Sequence, residues 1–197
     1  MAAMDASLKI AIVDENPVRA AILEEGLRVA GHCNVSHIGE RTDLLARIVA
    51  LNPDVILVDL GNPGHDVLEQ MFQISRVVRR PVAMFVDHSD ATSIQAAVDA
   101  GVSAYVVDGL KKERIKHILD LSISRFRAFT RLQDELDRTK TALEERKVID
   151  RAKGILMRAK NLSEEDAYGV LRKTAMNENR KLADIAQSVV MTADLLK

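Results

Sequence analysis

Five short apolar runs, none longer than a strand, alternate with helix-length amphipathic stretches through the front of this 197-residue chain. They are read as strands at Lys9 to Val13, Asn34 to Ile38, Val55 to Asp59, Val82 to Val86 and Ala104 to Val107. Strands that take turns with helices pair in parallel, because each crossover must travel back over one face of the sheet. The pattern predicts an α/β, doubly wound parallel sheet, with helices starting near Pro17, Arg41, Asp66, Ala91 and Lys112. In such sheets chemistry collects at the carboxyl ends of the strands. Asp14 and Glu15 end the first strand and Asp59 ends the third, so three carboxylates are expected to converge on one rim.

Behind the sheet, Glu113 to Arg146 contains neither Pro nor Gly and reads as one long polar helix. Phe129, Leu136 and Leu143 recur every seven residues along it, with Leu132 and Thr139 at the alternate seam positions. This makes about two heptads of a coiled coil and a candidate dimer seam of Phe129, Leu132, Leu136 and Leu143. The last third predicts three short helices around one small core. Their apolar stripes are Ile149, Ala152, Leu156 and Ala159, then Ala167, Val170, Leu171 and Ala175, then Leu182, Ile185, Ala186, Val189 and Val190. Ser163 followed by Asp166 is a capping box: the hydroxyl accepts a free amide and the carboxylate reaches back to the cap's own amide. The expected organisation is a front domain at 1–122, a coiled-coil linker helix at 123–147 and an all-α three-helix domain at 148–197.

The net charge of −1 hides a polarised molecule. Arg146 to Lys181 carries ten bases against five acids, whereas Lys9 to Asp108 carries eight against fourteen. Such asymmetry points to an anionic partner at the basic end. Only 3% of residues are aromatic and none is Trp, which argues against a stacking platform for single-stranded RNA. The single Cys33 excludes an internal disulfide and reads as a buried or inert thiol. The five histidines show no i, i+4 pair and no cysteine at metal-ligand spacing. Gly26 is read as punctuating a helix end, and Met71, Met84, Met157, Met176 and Met191 as core. With no nucleophile–His–acid constellation an enzyme is not expected. The amino terminus has no signal-peptide pattern and no apolar run is long enough to span a bilayer, so a cytoplasmic protein that does not engage membranes is expected.

The blocks Ile149-Asp150-Arg151-Ala152-Lys153-Gly154-Ile155-Leu156-Met157, Ser163 to Tyr168, Leu171 to Met176 and Leu182 to Ala186 resemble the ANTAR output domain. That resemblance covers about fifty residues and implies an RNA-binding module that lets transcription run through terminators. Arg151, Lys153, Arg172, Lys173, Arg180 and Lys181 are its candidate RNA-binding residues.

Residues 8–122 resemble the receiver domain of response regulators in two-component systems. The resemblance implies a phospho-acceptor at Asp59, a divalent-cation site, usually for Mg²⁺, at Asp14, Glu15 and Asp59, and a reorienting switch aromatic at Tyr105. Oxygen-only ligands suit such a hard cation. Two positions depart from the pattern. Val86 stands where a Ser or Thr would bond the phosphoryl oxygen, and Asp108 where a Lys would pair with it. A hydroxyl has become a methyl surface and a cation an anion, which disfavours phosphorylation as the switch. No cofactor is therefore required, and at most a weakly held Mg²⁺ is expected.

The order of parts is similar to the AmiR–NasT family of ANTAR antiterminators, its nitrate-assimilation branch in particular. Its implications are binding of leader RNA hairpins, prevention of terminator formation, control by an inhibitory nitrate- or nitrite-sensing protein, and a homodimer on RNA. The alternatives are a phosphorylation-controlled regulator with a DNA-binding output, and an adaptor whose basic helices bind an acidic protein. No recognition helix rich in Arg, Asn and Gln supports the former.

Overall fold

In the computed structural model, residues 8–107 and 111–195 are described. The chain divides into two compact units, Met1–Thr130 and Arg131–Lys197.

The first unit runs β1 (Ile10–Val13), α1 (Pro17–Val29), β2 (Val35–Ile38), α2 (Leu44–Leu51), β3 (Val55–Gly61), α3 (His65–Val78), β4 (Val82–Val86), α4 (Ala91–Asp99) and β5 (Ala104–Val106). A 3₁₀ turn at Lys112–Arg114 then enters α5 (Ile115–Lys160). All strands pair in parallel in the order β2-β1-β3-β4-β5, the doubly wound arrangement expected from the alternation. Side chains alternate across the sheet as the strand period requires. Ala11, Val13, Ile56, Val58, Met84 and Val86 face a core with Leu44, Ile48, Met71 and Phe72. Ile10, Ile12, Leu57, Ala83 and Phe85 face another with Leu23, Leu27, Ile115 and Leu119. Both faces are buried, which is why these strands read as unbroken apolar runs.

Three local details depart from the expected boundaries. α2 starts at Leu44 rather than near Arg41, because Asp43 sits at φ 53°, a left-handed conformation that no helix interior contains. Gly26 does not end a helix. It lies inside α1, where an added Cβ would run into the Ile115 side chain, so its missing side chain lets α1 and α5 pack closely. β3 runs past Asp59 to Gly61, with a register shift that leaves Leu60 as an extra residue opposite the Phe85–Val86 step.

The second unit contains the rest of α5, then α6 (Glu164–Glu178) and α7 (Leu182–Leu195). The linker helix and the first of the three expected short helices are one continuous element. No Pro and no capping residue interrupts Arg146 to Ile149, and the lone Gly154 weakens a helix without ending it. α5 stops before Asn161, whose φ of 52° closes the helix as a left-handed cap. Ala152, Leu156, Ala167, Leu171, Ala175, Ile185, Ala186 and Val190 form the small core, with Ile149, Ile155, Leu182 and Val189 at its edge. Ala159 and Val170, expected in it, are exposed.

The capping box forms with a different second bond. The Ser163 hydroxyl accepts from the Asp166 amide at 3.1 Å and donates to Asp166 Oδ2 at 2.6 Å, so the carboxylate is held by the hydroxyl instead of the cap's amide. Met71 and Met84 are core, but Met157, Met176 and Met191 are exposed: a three-helix unit has too little interior to bury every apolar side chain. Cys33 is likewise exposed, not buried.

Candidate functional site

The rim of the first unit is built by three strand ends and one helix start. The pairing Val13↔Val58 brings the next residues, Asp14 and Asp59, out together at the carboxyl ends of β1 and β3. Asn16 then caps α1: its side-chain oxygen accepts from the amides of Val18 and Arg19 at 3.0 and 3.4 Å, and Pro17 fixes the first helical φ. This places Arg19 in the first turn, beside the carboxylates. Asp14, Glu15, Arg19, Arg41, Asp59, Gly61 and Asp87 line one cavity of about 260 Å³.

Within it, the Arg19 guanidinium clamps two carboxylates. Nε and Nη2 donate to the two oxygens of Asp59 at 2.9 and 2.6 Å, while Nη1 and Nη2 donate to those of Asp87 at 3.1 and 3.2 Å. The Asp59 side chain is wholly buried and that of Arg19 is 26% exposed. Bonds to Asp59 first, then to Asp87, raise the Arg19 pKa further above its already high ordinary value. Gly61 makes room for the clamp. Its φ is 61°, its amide donates to Asp59 Oδ1 at 3.2 Å, and a Cβ there would come within 3.2 Å of Arg19 Nη1.

Glu15 is drawn to Arg41, and the Arg41 bond holds its carboxyl below the usual range. Asp14 is buried. Its Oδ1 accepts from the Asn16 amide at 2.8 Å, Oδ2 has no hydrogen-bond partner among the described residues, and burial, with the nearby Asp59 charge adding to it, pushes its pKa up. The three residues expected to hold Mg²⁺ therefore share a rim but do not fit that ion in this arrangement. Asp59 has both oxygens on a guanidinium, Glu15 is paired elsewhere, and among the described residues no group of three or more His, Cys, Asp or Glu could hold a metal.

Of the switch positions, Val86 is fully buried at the end of β4 and offers only methyl groups. Tyr105 is half-buried, with its hydroxyl 3.0 Å from Ser89 Oγ and its ring 6.5 Å from that of Phe72. Asp108 lies outside the described residues. Sequence reasoning missed Arg19 and Asp87. The signal was present in Asn16-Pro17, which fixes where α1 starts, but which carboxylate a first-turn arginine meets depends on strands 40 and 68 residues away.

In the second unit the basic residues fall into two groups. Lys153 bonds Asp150 and Glu164, both at 2.7 Å; Arg151 bonds Asp194 at 2.8 and 3.0 Å; and Arg180 bonds Glu178 at 3.3 Å. Arg172, Lys173 and Lys181 are exposed, with no ion-pair partner among the described residues. Phe129, Leu132, Leu136 and Leu143 are exposed along α5, at 60%, 65%, 46% and 52%.

A five-stranded parallel sheet with an acidic rim, followed by a long helix and a basic helical unit, defines a response regulator. Residues 10–120 match the family model of the response regulator receiver domain, and residues 137–190 match that of the ANTAR domain. The chain belongs to the response regulator receiver family and carries an ANTAR domain as its output end. It is 26% identical over 184 residues to the transcriptional regulatory protein PdtaR of Mycobacterium tuberculosis, a similarity that covers 93% of this chain and 90% of that one. It is also 37% identical over 75 residues to the nitrate regulatory protein of Klebsiella oxytoca, over 38% of this chain and 19% of that one. A solved CheY-like response regulator receiver domain protein from Methanospirillum hungatei shares the fold, with a TM-score of 0.53 at 18% identity over 62% of this chain and 98% of that one. Among the described residues no helix is long and apolar enough to cross a membrane.

Proposed function

We propose that this response regulator controls transcript elongation by binding hairpin RNA in a leader transcript and keeping the terminator from forming. The observation that carries the reading is the ANTAR domain itself, which presents Arg172, Lys173 and Lys181 to solvent without ion-pair partners among the described residues. Exposed, uncompensated cations release counterions from a phosphate backbone on binding. Arg151, Lys153 and Arg180 complete the proposed surface, but their ion pairs must open before they reach a phosphate.

The signal comes from an inhibitory sensor protein and not from phosphorylation of Asp59. Val86 supplies no hydroxyl, and Arg19 already occupies both Asp59 oxygens. The similarity to a nitrate regulatory protein supports nitrate or nitrite assimilation genes as the target and a nitrate- or nitrite-sensing protein as the inhibitor. On RNA the protein acts as a homodimer through Phe129, Leu132, Leu136 and Leu143, four exposed apolar side chains in heptad register. Two linked modules on two hairpins gain roughly 10²- to 10⁴-fold in avidity without new contacts.

The test is binding of the full chain to a two-hairpin leader RNA, to the same sequence as duplex DNA and to an unrelated single strand, alongside read-through in cells carrying Asp59→Asn. Preference for the hairpins, with induction retained in Asp59→Asn, is expected. Preference for duplex DNA, or loss of induction at normal protein abundance, would favour a phosphorylation-controlled regulator with a DNA-binding output.

A further inference from the structure

We propose that Arg19 is the resident cation of this receiver, filling with a guanidinium the place that the fold family gives to a divalent metal ion. The clamp engages both oxygens of Asp59 and both of Asp87, four donor–acceptor pairs between 2.6 and 3.2 Å. A guanidinium is planar, always charged and forked, so it satisfies two carboxylates at once where an ammonium would act as a point charge. Asp87 is part of the device. It lies one residue beyond β4, outside the ligand set expected from the sequence, and provides a second counter-charge for the face of Arg19 that Asp59 leaves free.

Arg19 is also held before it binds. The Asn16 cap and Pro17 set the first turn of α1, and Gly61 leaves the space through which the guanidinium passes. The backbone at Arg19 is therefore fixed, and only its side-chain rotamers are left to be ordered in forming the clamp. The other acidic residue that would serve a metal is likewise committed to an arginine, Glu15 to Arg41. Among the buried oxygens of the described rim residues, Asp14 Oδ2 has no hydrogen-bond partner, and one buried oxygen does not make a divalent-cation site.

The Arg19 guanidinium bonds both Asp59 oxygens and repels a second cation in the same cavity, so an ion that coordinates Asp59 must first displace it. Its apparent affinity is then reduced by the fraction of molecules in which the clamp is open. Consequently the acidic rim of the wild-type chain binds divalent cations weakly, and removing the guanidinium opens a tighter site there.

The experiment is direct Mn²⁺ binding to the full chain, by the loss of the free-ion paramagnetic resonance signal and by calorimetry, for wild type, Arg19→Gln and the double variant Arg19→Gln/Asp59→Asn. Arg19→Gln is expected to bind Mn²⁺ at least about tenfold more tightly than wild type, and the double variant to lose that gain. Arg19→Met, which removes the charge and keeps the apolar stem, is read in the same way if Arg19→Gln fails to fold. Equal binding by wild type and variant, binding by neither, or a gain that survives Asp59→Asn would each overturn the proposal.

Discussion

Removing Arg19 leaves the Asp59 carboxylate, buried beneath it, without its counter-charge. The Asp59 side chain is wholly buried and shares the rim with buried Asp14, so in Arg19→Ala the receiver must hold uncompensated negative charge or unfold locally. With an effective dielectric of about 20 and a charge separation of about 4 Å, the attraction is of order 4 kcal/mol. About a quarter of the Arg19 side chain meets solvent, which lowers the expected cost of Arg19→Ala to about 3 kcal/mol. Asp59→Asn removes the charge and keeps the shape, so Arg19→Ala/Asp59→Asn should be about 2 kcal/mol more stable than Arg19→Ala alone. Hydrogen exchange at the β1 and β3 amides reads the receiver without interference from the helical unit. Arg19→Ala should lower their protection by about two orders of magnitude, and the double variant should recover more than half of the logarithm of that loss. A cost below about 1 kcal/mol, or a double variant no more stable than the single, would show that the clamp is an incidental surface pair.

Asp14 carries the opposite sign of effect. Burial raises its pKa in the folded chain, so the stability that it supports is greatest below its unfolded pKa and falls as pH rises through the folded value. Asp14→Asn keeps the acceptor for the Asn16 amide and should raise stability near pH 7, a gain that thermal melts should no longer show below about pH 4. In salt titrations of hairpin binding, alanine at Arg172, Lys173 or Lys181 should each lower the slope by about 0.7 to 1, whereas Lys153→Ala should lower it less because Asp150 and Glu164 already hold that ammonium. Leu136→Lys with Leu143→Lys should leave the helix intact and abolish any dimer seen by ultracentrifugation on a two-hairpin RNA. A dimer of unchanged strength would place the interface elsewhere.

Much of the fold was legible because local patterns and tertiary structure agree. The central strands β1, β3 and β4, buried on both faces, are apolar almost throughout and the edge strands less so, yet all five could be read within two residues of their observed bounds, and the crossovers required a parallel sheet. Asn16-Pro17 marked the start of α1, and Ser163 the start of α6, because caps act within one turn. The convergence of Asp14 and Asp59 followed from strand ends alone. The continuity of α5 was less visible: two periodic patterns with different faces sit on one backbone, and only the absence of a stop signal joins them. What the chain could not announce was the partner of each charge. Val86 was legible as a missing hydroxyl, yet Arg19, Asp87 and Arg41 lie on separate segments, and Lys153, expected to meet RNA, is held by Asp150 and Glu164. Hydrophobic periodicity and caps are properties of neighbouring residues. An ion pair between β3 and α1, or between α5 and α6, is set by the packing that brings distant segments within about 3 Å, and only the tertiary structure decides it.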